Sequence, residues 1–301
     1  MTPQQLKNAI LQQAIQGKLV EQRAEEGTGQ ELFEAIQDEK EKLIEEGKLK
    51  KQKALPEITE DEIPFEIPET WKWVRLGDLA KITGGYAFKS NEFIEHGVRV
   101  IRISDFNEDG FVNSKIVRHS YDDTLQMFLI EKKNILLCMT GGTVGKSLFV
   151  RDLEEPMMTN QRVATIKTFI NLSPEYINYN ILAPVVQKTI VDSKNSTNDN
   201  ISMDTIKSFL IPLPPLAEQE RIVEKIEELL PLVERYEKAW ARLEELNKKF
   251  PLDMQKAILG QAIQGKLVDQ RAEEGTGQEL YKAIQEEKEK LIEEGKLKNQ
   301  K

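Results

Sequence analysis

The sequence predicts an α+β fold in which one mixed α/β domain is held between long helical segments. Three observations carry that prediction. A forty-residue element occurs twice, at 14–53 and 262–301, and the copies differ only at Glu21/Asp269, Phe33/Tyr281, Glu34/Lys282, Asp38/Glu286 and Lys51/Asn299. Between the copies lies a region of short Val- and Ile-rich runs bounded by Gly, Asn and Asp, the pattern of strands and turns. From Ile222 onward the apolar residues then fall in alternating steps of four and three, a coiled-coil seam.

Two copies so far apart do not make a solenoid; they read as one element placed before and after an insert. In the first copy, within residues 1–53, LKNAILQQAIQGKLV spaces Ala, Ile and Leu as a helix does and breaks after Gly17. Thr28 and Glu31 (Thr276 and Glu279 in the second) have capping-box spacing and start another helix. That helix carries Leu32, Ile36, Leu43 and Ile44 on one side, and Gly47 stands where a C-terminal cap belongs. Each copy is therefore a helical hairpin whose Glu/Lys run is a solvated face. Residues 54–70, with Pro56, Pro64 and Pro68, read as an extended acidic linker because the residue before a proline is driven out of helix.

The insert, residues 70–215, begins at a strand marked by Trp71, Trp73, Val74 and Leu76. Further strands are expected in 97–106, 134–140, 147–150 and 163–169. Ser173-Pro174 is a helix start, with serine at the cap and proline at the first helical position. Two short helices, YINYNILA and VVQKTIV, follow and are separated by Pro184. A long helix is expected from 216 to about 250, and residues 216–248 would span roughly 50 Å. Its seam is Ile222, Ile226, Leu229, Val233, Tyr236, Trp240 and Leu243, with Pro231 expected to kink it or begin a new segment. Residues 251–301 hold the second hairpin. A seam of that length needs the repeats or a second chain to cover it.

Composition narrows the function. Net charge is −9, from 42 Lys and Arg against 51 Asp and Glu. Residues 70–215 carry 17 basic and 16 acidic residues, a net +1, so the acidity lies in the flanks and leaves the insert free for local basic patches. The longest uninterrupted apolar run, Ile135–Met139, is too short for a membrane span, and the N-terminus lacks the pattern of a signal peptide. One cysteine, Cys138, and two histidines, His96 and His119, argue against disulfides and Cys/His metal sites and for a reducing cytoplasm.

The run Met139–Ser147, MTGGTVGKS, looks like a nucleotide-binding loop but fails as one. The required first glycine falls at Thr140, and Gly141 leaves three intervening residues where four are needed. Leu148-Phe149-Val150 follows as strand, where a phosphate cradle needs a helix N-terminus. A nucleophile–base pair is equally absent from the pattern, so the chain reads as non-catalytic.

The run IPLPPLAEQERIVEKI (211–226), closing a strand-rich domain, resembles the specificity (S) subunits of type I restriction–modification systems. Its companions are ITGGYAFKSNEF (82–93), VIRISDF (100–106), MTGGTVGK (139–146), TNQ (159–161), NISMDTIKSFLIPLPP (200–215) and the repeated AIQGKLV. The resemblance covers essentially the whole chain. It implies a recognition domain reading one half of a split DNA target. It also implies coiled-coil regions that set the spacing and dock modification subunits. Those partners would bind S-adenosylmethionine and methylate adenine, and a motor subunit would use ATP and Mg; this chain would hold no cofactor. Family members carry two recognition domains, whereas this sequence has one and stops at Gln300-Lys301, aligned with Gln52-Lys53. The expectation is a half-size subunit that pairs as a homodimer on a palindromic split site, its half-sites about 15 base pairs apart. A truncated fragment that is silent without a second recognition domain, and a structural coiled-coil adaptor, are the alternatives.

For DNA contact, the residue types point to Thr140, Gly141, Gly142 and Lys146, whose small residues would admit phosphates to backbone N–H groups; a tight hairpin turn with a surface lysine is the competing reading. Gly84 and Gly85 with Lys89 form a similar loop. Asn160, Gln161 and Arg162 are the types that read adenine and guanine edges, though they could equally bond within the domain. Tyr86, Phe88, Arg102 and Ser104 complete the candidates.

Overall fold

A computed structural model describes residues 1–51, 53–193 and 200–298. The chain divides into two compact units, Met1–Glu237 and Lys238–Lys301. The aligned chain ends, Gln52 and Gln300-Lys301, lie outside the described residues.

The first unit opens with the hairpin α1 (Pro3–Ile15) and α2 (Gly29–Glu45). Capping boxes at Thr2/Gln5 and Thr28/Glu31 start both helices as the sequence requires. The domain follows, with β1 (Lys72–Arg75), the short α3 (Leu76–Leu79), β2 (Ala80–Gly84), β3 (Val98–Ile101), β4 (Phe106–Asn107), β5 (Gly110–Phe111) and β6 (Val117–His119). Next come β7 (Ile135–Cys138), β8 (Ser147–Phe149), β9 (Met157–Thr159) and β10 (Val163–Thr168). It closes with α4 (Pro174–Leu182), α5 (Pro184–Asp192), α6 (Met203–Lys207) and β11 (Leu210–Leu213).

An antiparallel sheet in the order β2-β10-β7-β8 is the centre of the domain. A second sheet, β6-β3-β9, pairs β3 with β9 in parallel. β1 and β11 join the two ends of the domain antiparallel, and β4 and β5 form a small hairpin. β7 reads ILLC and is buried throughout, because it is flanked by strands on both sides and covered on both faces. Mixed α and β structure is therefore the architecture. Serine 173 caps α4, and Pro184 opens α5 instead of merely interrupting a helix.

The first hairpin belongs to the same core as the domain. Leu11, Ile15 and Ile36 cluster with Trp71, Leu213 and Ile222. The acidic linker is also tied down. Arg75, 5% exposed, donates to the carbonyls of Pro56, Glu57 and Ser208 and grips the Glu62 carboxylate at 2.9 and 3.0 Å. Residues Glu60–Glu62 form a helical turn capped by Thr59, so the expected extended linker is a strap folded onto the domain.

α7 (Leu216–Ile263) runs through both Pro231 and Pro251. No new helical segment begins at Pro231, and the helix does not end near 250. A proline deletes one i→i−4 hydrogen bond, and helical turns on both sides carry the segment across. Pro251 aligns with Pro3, but Phe250 stands where Thr2 caps α1, so nothing starts a new helix there. The seam also divides. Ile222 and Ile226 are fully buried in the domain core and pack there as an amphipathic helix face, in one cluster with Leu11 and Ile15 of the first hairpin. Val233 is buried, Leu229, Tyr236 and Trp240 are half-buried, and Leu243 is 51% exposed. In the second unit, α7 ends and α8 (Gly277–Glu293) follows, capped by Thr276/Glu279 like its counterpart.

Glu218 and Gln219 of the PLPPLAEQ run are buried at the start of α7. Gln219 accepts from the Ser173 backbone N–H and donates to Pro214 O. The Glu218 carboxylate accepts from Trp71 Nε1 at 2.9 Å, and burial pushes its pKa up despite that bond. A raised carboxylate pKa contributes stability below the ordinary value of 4.5 and loses it as pH rises through the folded value. Glu218→Gln, which keeps an acceptor for Trp71 without the buried charge, is expected to raise Tm at pH 7. The gain should shrink toward zero as the pH falls below 4.5 in a thermal melt series.

Candidate nucleic-acid interface

Four loops meet at one edge of the domain, and backbone pairing brings them there. Gly85 N donates to Val163 O and Tyr86 N to Thr159 O at 2.9 Å, while Gln161 N returns a bond to Tyr86 O. Asn160 N donates to Ile101 O, which seats the 160–162 turn beside the loop after β3. Arg102, Ile103, Ser104, Asn160, Gln161 and Arg162 line one open recess there. Gly141 lies beside Ile103, and Thr140 pairs with Asn200.

Gly85 is demanded by packing. A Cβ there would stand 2.3 Å from both the Thr159 and Asn160 carbonyl oxygens, so only glycine lets the two loops approach. Phosphate access does not explain this glycine; Gly84, by contrast, is uncrowded.

The side chains sort into those already committed and those that are not. Arg102 forks onto Asp105, itself 3% exposed, with bonds of 2.8 and 2.9 Å, and also donates to Lys115 O. Ser104 donates to the same carboxylate. Arg102 therefore braces its loop with its charge matched, and a base-reading role is not the one its contacts describe. Asn160 Oδ1 accepts from Arg162 N and shapes the turn. Gln161 and Arg162 are exposed, and among the described residues neither side chain is engaged in a hydrogen bond or ion pair. Phe88 is 7% exposed and packs in the β3–β9 core, whereas Tyr86 is 40% exposed with its ring against Phe88 and Phe128. Lys89 pairs with Glu92 away from the recess lining.

The glycine-rich loop is a tight turn between antiparallel strands. β7 runs into the turn Gly141–Thr143 and β8 runs back, with no helix following. Positive φ at Gly141 (74°) and Gly145 (88°) makes the reversal. Lys146 is neither a phosphate cradle nor a loose surface lysine. Its ammonium donates to Ile103 O at 2.7 Å and lies 5.0 Å from the Phe106 ring centre. Gly142 is exposed and uncrowded. Nothing in the sequence singles out Asn200, whose partner Thr140 is sixty residues away, and Asp105 lies three residues from Arg102 inside the same motif without marking itself as its brace.

Residues 68–246 match the type I restriction modification DNA specificity domain. The EcoAI specificity subunit of Escherichia coli is 34% identical over 232 residues, 75% of this chain and 39% of that protein. The EcoEI specificity subunit, also from Escherichia coli, is 27% identical over 349 residues, 98% of this chain and 57% of that protein. The chain thus spans about half the length of these relatives. Among solved structures, a chain from the type I R-M system, determined for its complex assembly and conformational transition, has a TM-score of 0.51 at 22% identity. The match covers 79% of this chain and 55% of that one, and the likeness is one of fold. More than half of the sequence lies within the match to the specificity domain, and on that ground the chain belongs to the family of type I restriction–modification specificity subunits.

Proposed function

We propose that the chain reads one half of a bipartite DNA target through the 84–86, 102–104, 140–143 and 160–162 loops. In this reading it docks adenine-methyltransferase subunits in the cytoplasm, and two copies act together on a palindromic split site. Specificity subunits of type I systems are non-catalytic DNA-recognition components. The observation that carries the reading is the recess where Gln161 and Arg162 stand uncommitted on a turn whose backbone is fixed. Those two side-chain types form bidentate bonds to adenine and guanine edges in the major groove. S-adenosylmethionine, ATP and Mg belong, in this proposal, to the partner subunits, and a motor subunit joins the same assembly for cleavage.

Long-read adenine methylome sequencing of methylation-free cells expressing the chain with its modification subunit tests this. A split palindromic motif is the expected result. A motif with unlike halves, or none despite a purified complex, would count against two-copy reading. In duplex-binding measurements on the same complex, Arg162→Ala should weaken binding to the target about 5- to 150-fold, from about 1–3 kcal/mol per bidentate contact. It should also relax the motif at one position.

A further inference from the structure

The two hairpins carry the same contact residues, and in the first that face is buried against the domain. In the first, Gly29 N donates to Thr70 O, and a Cβ at Gly29 would lie 2.0 Å from Leu213 O. Lys72 donates to Gln30 at 2.6 Å and lies over the Phe33 ring. Lys40 pairs with Asp78, Trp71 donates to Gln22, and Arg221 forks onto Glu26. Each of these hairpin residues has an identical counterpart 248 positions on, Phe33 alone being replaced by another aromatic, Tyr281. The other four differences, at 21, 34, 38 and 51, leave those contacts unaltered. Yet Ile36 is 0% exposed and its counterpart Ile284 is 52% exposed, with Leu280 at 63%. The first hairpin shows which surface covers this face: one offering Trp71, Lys72, Asp78 and Arg221.

We propose that the second hairpin docks on the recognition domain of a second copy, in place of that copy's own first hairpin, so that paired chains exchange hairpins. This rests on the two-copy reading above. The charges match, Glu274 to Arg221 and Lys288 to Asp78, and the contacts to Thr70, Trp71, Lys72, Asp78 and Arg221 are remade by identical residues, with Tyr281 in place of Phe33. Concentration and tethering, not contact energy, then decide which hairpin occupies the domain.

The test uses full-length chains with two different tags, one carrying Lys72→Cys and the other Gln278→Cys; the natural Cys138 is buried. After mixing, a short bismaleimide should join the two tags. Gly29→Ala on the Lys72→Cys chain should raise the yield severalfold, because its own hairpin is repelled by the Leu213 carbonyl. Gly277→Ala on the other chain should abolish the product, although a Cβ at Gly277 meets nothing within 4 Å in its own fold. Sedimentation separates the failures. Monomers at all concentrations would remove the two-copy reading and this inference together. A dimer in which Lys72→Cys joins only Gln30→Cys of its own chain, or joins Gln278→Cys only within one chain, would overturn the exchange and leave the dimer standing.

Discussion

Gly85→Ala is expected to abolish sequence-specific DNA binding by the assembled complex while leaving its helical circular dichroism nearly unchanged. The added methyl would meet two backbone carbonyl oxygens at 2.3 Å and the Asn160 carbonyl carbon at 2.5 Å. These are strand-end atoms held by bonds to Tyr86, Ile101 and Val163, so no side chain can swing aside. Overpacking of this kind costs about 3 kcal/mol, and relief comes only by separating the two loops. That moves the 160–162 turn, which carries Gln161 and Arg162. Gly142→Ala is the internal control, since its Cβ meets nothing within 4 Å; binding and stability should both stay as they are. Fluorescence anisotropy with target and scrambled duplexes, each at two salt concentrations, reads the difference. Equal losses for both variants would mean that the two glycine loops act through phosphate access instead.

Arg75→Ala should produce the largest fall in stability. It removes bonds to three backbone carbonyls and a two-pronged grip on Glu62, leaving the strap at 54–70 unanchored. A loss of about 3 kcal/mol is expected for a buried, charge-assisted set of this size, or about 6–12 °C in Tm for a unit of this length. Lysine should not rescue it, because a single ammonium cannot serve a fork of separate acceptors. The acid limb gives a second readout. The Thr59 backbone N–H, and then Arg75, hold the Glu62 carboxyl below its ordinary 4.5. A depressed carboxylate contributes stability above its unfolded value and loses it as pH falls through the folded one. Arg75→Ala should therefore flatten the decline of Tm below pH 4.5, leaving only the part due to Thr59.

Much of this architecture is legible in the chain. The hairpins follow from capping boxes and glycines that act within four residues of each other, and α4 and α5 from serine and proline at their first positions. Local chemistry of that kind survives any tertiary context. The strap and the burial of the upper seam depend instead on residues distant in the chain. Three prolines in 54–70 exclude helix but do not reveal that Arg75 will fold the segment back. Ile222 and Ile226 keep coiled-coil spacing, yet a domain core accepts the same stripe as a helix does. At the candidate interface, residue type does not reveal which polar groups are taken up within the domain. Arg102, Lys146 and Asn160 reach the right edge of the domain, but Asp105, the Ile103 carbonyl and the Arg162 N–H claim their polar groups. Among the described residues of the recess, the Gln161 and Arg162 side chains are exposed and make no hydrogen bond or ion pair.

The seating of the 160–162 turn beside its neighbours depends on main-chain bonds and on glycine at position 85. Tyr86 with Asn160 and Thr140 with Asn200 are joined as backbone bridges, which are indifferent to the side chains they carry. Substitutions at 161 and 162 can thus accumulate without disturbing the residues beneath them. A scaffold of this kind is evolvable: in the proposed reading, new target sequences would be sampled by drift at a few exposed positions, while selection for folding acts elsewhere.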